Sequence, residues 1–180
     1  KENINISENV RIGYFSQSMD ILDDSKTILE NVMDKSIHDE NFARLILARL
    51  LIRGDKVYNN LSVLSGGERV KLSFAKMILE DINFLILDEP TNYLDISSLD
   101  VIEEILKNYN GSILFVSHDL RFIENIGQEL LIVEDKRIKS FNGRYSEYIK
   151  SRSSKIPVGK IDSFKEDRMI LEMEISSLIS

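Results

Sequence analysis

Residues 83–87 read Asn-Phe-Leu-Ile-Leu, and two carboxylates, Asp88 and Glu89, follow at once. So short and so apolar a run fits a strand buried in a parallel sheet, where neither face alternates with water. A second such run, Ser112–Val116, comes after Gly111, with an amphipathic helix expected over 96–109 between them. Buried strands separated by helices predict an α/β domain with a mainly parallel sheet.

The rest of the chain fills in around that unit. Residues 10–16 read as a strand. Ser25 is the expected cap of a helix through Thr27 to Met33. A helix over 39–53 carries Phe42, Leu45, Ile46, Arg49 and Leu50 at helical spacing, with Gly54 as its stop. Residues 57–64 read as a loop, and Ser65 opens a helix to about Leu79. A short helix is expected over 119–126, and strands over 130–133 and 137–141 meet at Glu134-Asp135-Lys136. A short helix over 145–152 follows. Residues 151–161, with Pro157, Gly159 and three serines, read as a linker. Beyond it Ser163 and Glu166 form a capping-box pattern, with Phe164, Leu171, Ile175 and Leu178 on one helical face.

Composition narrows the classes. A hydrophobic fraction of 43% supports a core, and the absence of cysteine excludes disulfides and thiolate chemistry. No apolar run reaches the roughly 18 residues that a membrane span needs. Arg49 interrupts the longest, Leu45–Ile52, and the polar start shows no secretory signal. No membrane insertion and a cytoplasmic setting are therefore expected. The net charge of −7 argues against unspecific nucleic-acid binding by the whole surface. Lys150, Arg152, Lys155 and Lys160 form a local basic stretch that suits either a solvated linker or a patch.

Three clusters carry chemistry. Ser65-Gly66-Gly67-Glu68 opens a helix, where unpaired N–H groups and the positive dipole end point outward together. Two glycines let an anion approach the backbone. Ser65 can cap the helix or donate to a phosphate oxygen, and Glu68 can close the cap. A capped helix explains much of this, yet a glycine pair in the first turn weakens a helix by about 1 kcal/mol per residue, an odd choice for capping alone. At the end of the first buried strand, Asp88 is placed to hold Mg²⁺ and Glu89 to orient or deprotonate an attacking water. A plain charged strand end is the alternative. Ser117-His118-Asp119 follows the next strand and lands on the same sheet edge, and Gln17 ends the first strand near it.

In order and spacing, Gln17, LSGGE, LILDEP, TNYLD and VSHD resemble the ATPase domain of the ATP-binding cassette superfamily over about residues 10–150. The resemblance implies a P-loop NTPase-type domain with a helical subdomain near 20–80, followed by a linker and C-terminal helix over 151–180. It implies ATP and Mg²⁺ as cofactors. Gln17 would be the Q-loop, touching metal and nucleotide, and Ser65, Gly66 and Gly67 the signature. Asp88 and Glu89 would be the metal-binding and catalytic pair, Asp95 the D-loop and His118 the switch histidine. Thr91-Asn92 and the run Phe141 to Tyr148 are similar to the ABC-F branch, whose members carry two ATPase domains and act on the ribosome as translation factors or in antibiotic-resistance protection. The chain looks like the second of those domains. Tyr93 stands where that branch commonly has His, and Leu120-Arg121-Phe122 where it has Arg-Tyr-Phe.

The G-x-x-x-x-G-K-[ST] loop that cradles phosphates is absent from these 180 residues. The chain is therefore expected to be an N-terminally incomplete piece, inactive alone, whose partner is the first ATPase domain of its full-length protein. In that pairing the signature would face a nucleotide held by the partner domain. An ATPase subunit of a membrane transporter and a non-enzymatic interaction module are the alternatives.

Overall fold

The computed structural model describes residues 5–15 and 21–153. The expectations for Gln17 and for the tail after Ser153 lie outside the described residues. The chain divides into two compact units at Ile126/Gly127.

In the first unit, β1 (Ile12–Phe15), β2 (Phe84–Asp88) and β3 (Ser112–Val116) form a parallel sheet in that order. Phe15 aligns with Leu87, Leu87 with Phe115, and Asp88 with Val116. Between β1 and β2 run α1 (Ile28–Met33), α2 (Glu40–Arg49) and α3 (Gly66–Leu79), the last preceded by two short 3-10 turns, Gly54–Tyr58 and Leu61–Val63. Those turns replace the plain loop expected there. Then α4 (Ile96–Lys107) joins β2 to β3, and α5 (Leu120–Ile126) follows β3. A crossover helix is what a parallel pair requires.

Side-chain alternation fixes which face is covered. Leu85 and Leu87 of β2 are 1% exposed, whereas Ile86 on the other face is only half-buried. The opposite face stays apolar but open, through Tyr14, Leu114 and Val116. Cover on both faces, as the continuous apolar run predicts, is thus found on one. The core lies on the covered side, where Phe74 of α3 stacks on Phe15 at 4.5 Å between ring centroids. Nine residues of α3 are buried, so this helix is the central post of the unit. α1 is capped by Thr27 instead of Ser25, because Glu30 stands three residues after Thr27 and closes a reciprocal capping box. Ser25 bonds to Asp23.

α2 differs from its expected form in two ways. Its buried stripe is Ala43, Ile46, Leu47 and Leu50, while Phe42 and Leu45 are exposed. Apolar residues cover more than one face of this helix, and the small Ala43 is what fits against the neighbouring helices. The helix also stops before Gly54. Leu51 takes the left-handed conformation (φ 67°), its N–H bonds to Ala48 O at 3.1 Å, and Ile52 N–H bonds to Leu47 O at 2.9 Å. This is a Schellman end with leucine where glycine usually sits.

In the second unit β4 (Glu129–Glu134) and β5 (Arg137–Asn142) form an antiparallel hairpin, and α6 (Tyr145–Ser153) follows. Asp135 and Lys136 both have positive φ, the two-residue turn whose twist suits flanking strands. Phe141 meets Tyr148 edge-on at 5.4 Å, so the two aromatic ends of the run 141–148 hold each other.

Leu51 carries left-handed strain of about 1 kcal/mol that glycine would not. Leu51→Gly is expected to leave stability unchanged or raise it by up to about 1 kcal/mol in urea unfolding. A loss above about 1 kcal/mol would show that Leu51 is held there by packing.

Candidate active site

β2 and β3 end side by side, and their register decides what meets. Asp88 aligns with Val116, and the Glu89 N–H donates to Val116 O at 2.9 Å. That bond carries the ladder one residue past the strand and turns Glu89 into the left-handed region at φ 48°. A non-glycine residue held there marks a position that the surroundings over-determine. The side chain then swings toward the loop after β3. Glu89 Oε2 accepts from the backbone N–H of His118 at 3.2 Å, and Oε1 lies 3.3 Å from His118 Nε2. Glu89 is 19% exposed at its side chain and His118 96%, so the carboxylate is sheltered while the ring hangs in solvent on a single partner.

Asp88 is exposed at the strand tip. Among the described residues no group of three or more acidic or histidine side chains is placed to hold a metal. The exposed carboxylate of Asp88 is a hard oxygen donor of the kind that can hold a Mg²⁺ whose other ligands are water and phosphate. Thr91 and Ser117 hydroxyls, 3.4 Å apart, join the two loops behind it.

The helix start at Ser65 is built as a reciprocal cap. Ser65 Oγ accepts from Glu68 N–H at 3.3 Å, and Glu68 Oε2 accepts from Ser65 N–H at 3.0 Å. Lys56 Nζ, 2.5 Å from Glu68 Oε1, and the Ser65 donors hold the Glu68 carboxyl below its ordinary range. The Ser65 hydroxyl proton points to Glu68 Oε2 at 3.2 Å, a long contact that an anion can replace while the cap survives. The two glycines differ. A Cβ on Gly66 would meet nothing within 4 Å, whereas one on Gly67 would lie 2.7 Å from Tyr93 O. Gly66 leaves the helix end open to a ligand, and Gly67 lets the turn after β2 close on α3.

Asp95 is engaged by its own unit. It caps α4 by accepting from Ser98 N–H at 2.8 Å, receives the Ser97 and Ser98 hydroxyls, and pairs with Lys71 Nζ at 3.2 Å. The serine donors first, and then Lys71, hold its carboxyl far below the ordinary carboxylate range. Lys71 is 8% exposed at its side chain and sits among the buried residues of α3. Its role was missed from sequence, although a cation in the buried stretch 70–77 signals a carboxylate partner elsewhere. The structure thus brings Asp88, Glu89 and His118 together on one edge, and ties Gly67, Lys71 and Asp95 into a second cluster.

Two outcomes check this. Gly67→Ala is expected to destabilise by about 1–3 kcal/mol through its clash with backbone, and Gly66→Ala to leave stability unchanged or raise it by up to about 1 kcal/mol; equal losses in thermal unfolding would refute the division. A depressed Asp95 carboxyl contributes stability in full above its unfolded value near 3.9 and loses it as pH falls toward the folded value. The stability gap between the parent chain and Asp95→Asn should therefore narrow from pH 5 to pH 2, and a constant gap would exclude the charged contacts.

Comparison with known proteins agrees with the geometry. The family model described as ABC transporter matches residues 1–92. The chain is 41% identical to the ATP-binding protein Uup of Haemophilus influenzae over 74% of its own length and 21% of the relative's. It is 36% identical to ABC transporter F family member 5 of Arabidopsis thaliana over 78% of its length and 21% of the relative's. A dimeric structure of the ATP-binding cassette MJ0796 bound to ADP and Pi shares the fold, with a TM-score of 0.60 at 20% identity over 74% of this chain and 63% of that one. The chain spans less than a third of the length of the curated relatives it matches. The fold is that of an ABC ATPase cassette, and the chain belongs to the ABC transporter family of ATP-binding domains.

Proposed function

We propose that this chain is part of an ABC-F-type ATPase that binds and hydrolyses ATP with Mg²⁺ and acts on the ribosome from the cytoplasm. The grouping of Asp88, Glu89 and His118 at the carboxyl ends of adjacent strands carries the ATPase reading. The LDEPTNYLD text, together with relatives named Uup and ABC transporter F family member 5, supports the branch. No helix among the described residues is long and apolar enough to cross a membrane.

Under this reading the phosphate-cradling loop comes from residues outside these 180. Mg²⁺, when bound, neutralises phosphate charge, and Asp88 is the residue that would hold it. Glu89 has lone pairs left on both oxygens after its contacts with His118, and they can orient a water and accept its proton. The imidazole of His118, free in solvent on every side but one, can turn from Glu89 to a phosphate oxygen. Ser65 and Gly66 offer a hydroxyl and an unobstructed backbone to a phosphate from a second cassette, the first ATPase domain of the same protein. Such donors act only on a phosphate already positioned.

In the full-length protein, Glu89→Gln is expected to lower ATP turnover by about 100-fold or more while ATP binding persists. The 180-residue chain alone should show no turnover. Turnover by that chain, abolished by Glu89→Gln, would refute the composite site. Co-sedimentation of full-length Glu89→Gln with ribosomes in ATP tests the ribosome assignment, and recovery with membranes in its place would overturn it.

A further inference from the structure

The His118 side chain is 96% exposed, with Glu89 its partner among the described residues, so whatever fixes its two flanks decides where the ring sits. Upstream the answer is the ladder bond from Glu89 N–H to Val116 O. Downstream it is α5. Asp119 Oδ1 accepts from the N–H groups of Arg121 and Phe122 at 2.9 and 3.1 Å, and Asp119 N–H donates to Ser117 Oγ at 3.0 Å. His118 is therefore rigidly joined to the first turn of α5, and the pose of that helix sets the pose of the ring.

The apolar face of α5 is anchored by Phe122, fully buried and edge-on to Phe115 at 5.1 Å, and one turn on by Ile126, partly buried against the same core. Such contacts are not directional and set the roll of the helix only loosely. Arg121 and Asn125, one turn apart on one face of α5, supply the second point of attachment. Arg121 bonds to Asp100 of α4 and lies 3.9 Å from Glu103, while Asn125 Nδ2 donates to Glu103 Oε2 at 2.8 Å. Lys107 lies 3.8 Å from the same Glu103 oxygen. Glu103 is 4% exposed at its side chain, and its Oε1 has no hydrogen-bond partner. A buried carboxylate with one oxygen unpartnered contributes little to stability compared with an apolar residue of its size. It does fix direction, because its hydrogen bonds are angular where apolar contacts are not.

We propose that Arg121 and Glu103 are positioning residues: the α4–α5 clasp they form with Asp100 and Asn125 holds the His118 ring opposite Glu89. Arg121 belongs to the Leu120-Arg121-Phe122 segment, which otherwise plays no part in the site. One guanidinium nitrogen, Nη2, faces both carboxylates, bonded to Asp100 and 3.9 Å from Glu103. The functional meaning of the clasp rests on the ATPase reading, but its geometry does not.

The chain has two histidines, so His38 serves as an internal reference for His118 in ring-carbon NMR. The quantity read is the shift of the His118 Cε1–H resonance caused by Glu89→Gln, first in the parent chain and then in an Arg121→Gln background. The shift should fall to below half in Arg121→Gln and recover in part in Arg121→Lys, with His38 unmoved throughout. Asp100→Asn attacks the same contact from the other helix and should act like Arg121→Gln, which covers failure of either variant to fold. An undiminished shift in folded Arg121→Gln and Asp100→Asn overturns the proposal. So does the absence of any shift in the parent chain, because the pair would then not exist to be positioned. The measurement needs no nucleotide. A negative result leaves the ATPase reading standing, and unchanged turnover in Glu89→Gln would leave the clasp standing.

Discussion

The contact between Lys71 and Asp95 is the one on which the arrangement of the first unit depends. Lys71 lies in the most buried helix of the unit, and its ammonium must find a counter-charge or remain costly. It finds one at the start of α4, the same carboxylate that caps that helix. One interaction thus neutralises the core cation, starts the crossover helix and draws the turn after β2 onto α3, where Gly67 leaves room for Tyr93 O. From α4 the order passes to α5 through Arg121 and Asn125, and from α5 to His118.

The edge where β2 and β3 end obeys a different constraint. β2 and β3 are in register to their last residues, and the extra bond from Glu89 to Val116 forces the left-handed turn that aims the carboxylate at His118. The Glu89 half of the pair is set by backbone hydrogen bonding to Val116, and the His118 half by the contacts that hold its flanks.

Much of this was legible in the letters. The apolar run before Asp88 and the Ser65-Gly66-Gly67-Glu68 start mapped directly onto β2 and the capped α3, because each depends on neighbours within four residues. α2 was less legible: Phe42 and Leu45 match a helical period as well as the buried Ala43 and Leu47 do, and only the partner helices choose between them. Its end was hidden too, since Leu51 carries no sequence mark of a left-handed residue. Lys71 with Asp95, and Arg121 with Asp100, are pairings across 24 and 21 positions, which local patterns do not encode. The role expected of Asp95 toward nucleotide gave no hint that Ser97, Ser98 and Lys71 already surround it.

Gly66 and Gly67 are adjacent and chemically identical, yet they are constrained by different things. The space beside Gly66 is empty, so only a visiting molecule can object to a side chain there, whereas Gly67 faces a carbonyl of its own fold. On the proposed ATPase reading, a lineage that ceased to bind nucleotide would be free to change residue 66 and would still be obliged to keep residue 67. Across descendants of this chain, the first glycine would then be a record of use and the second a record of architecture.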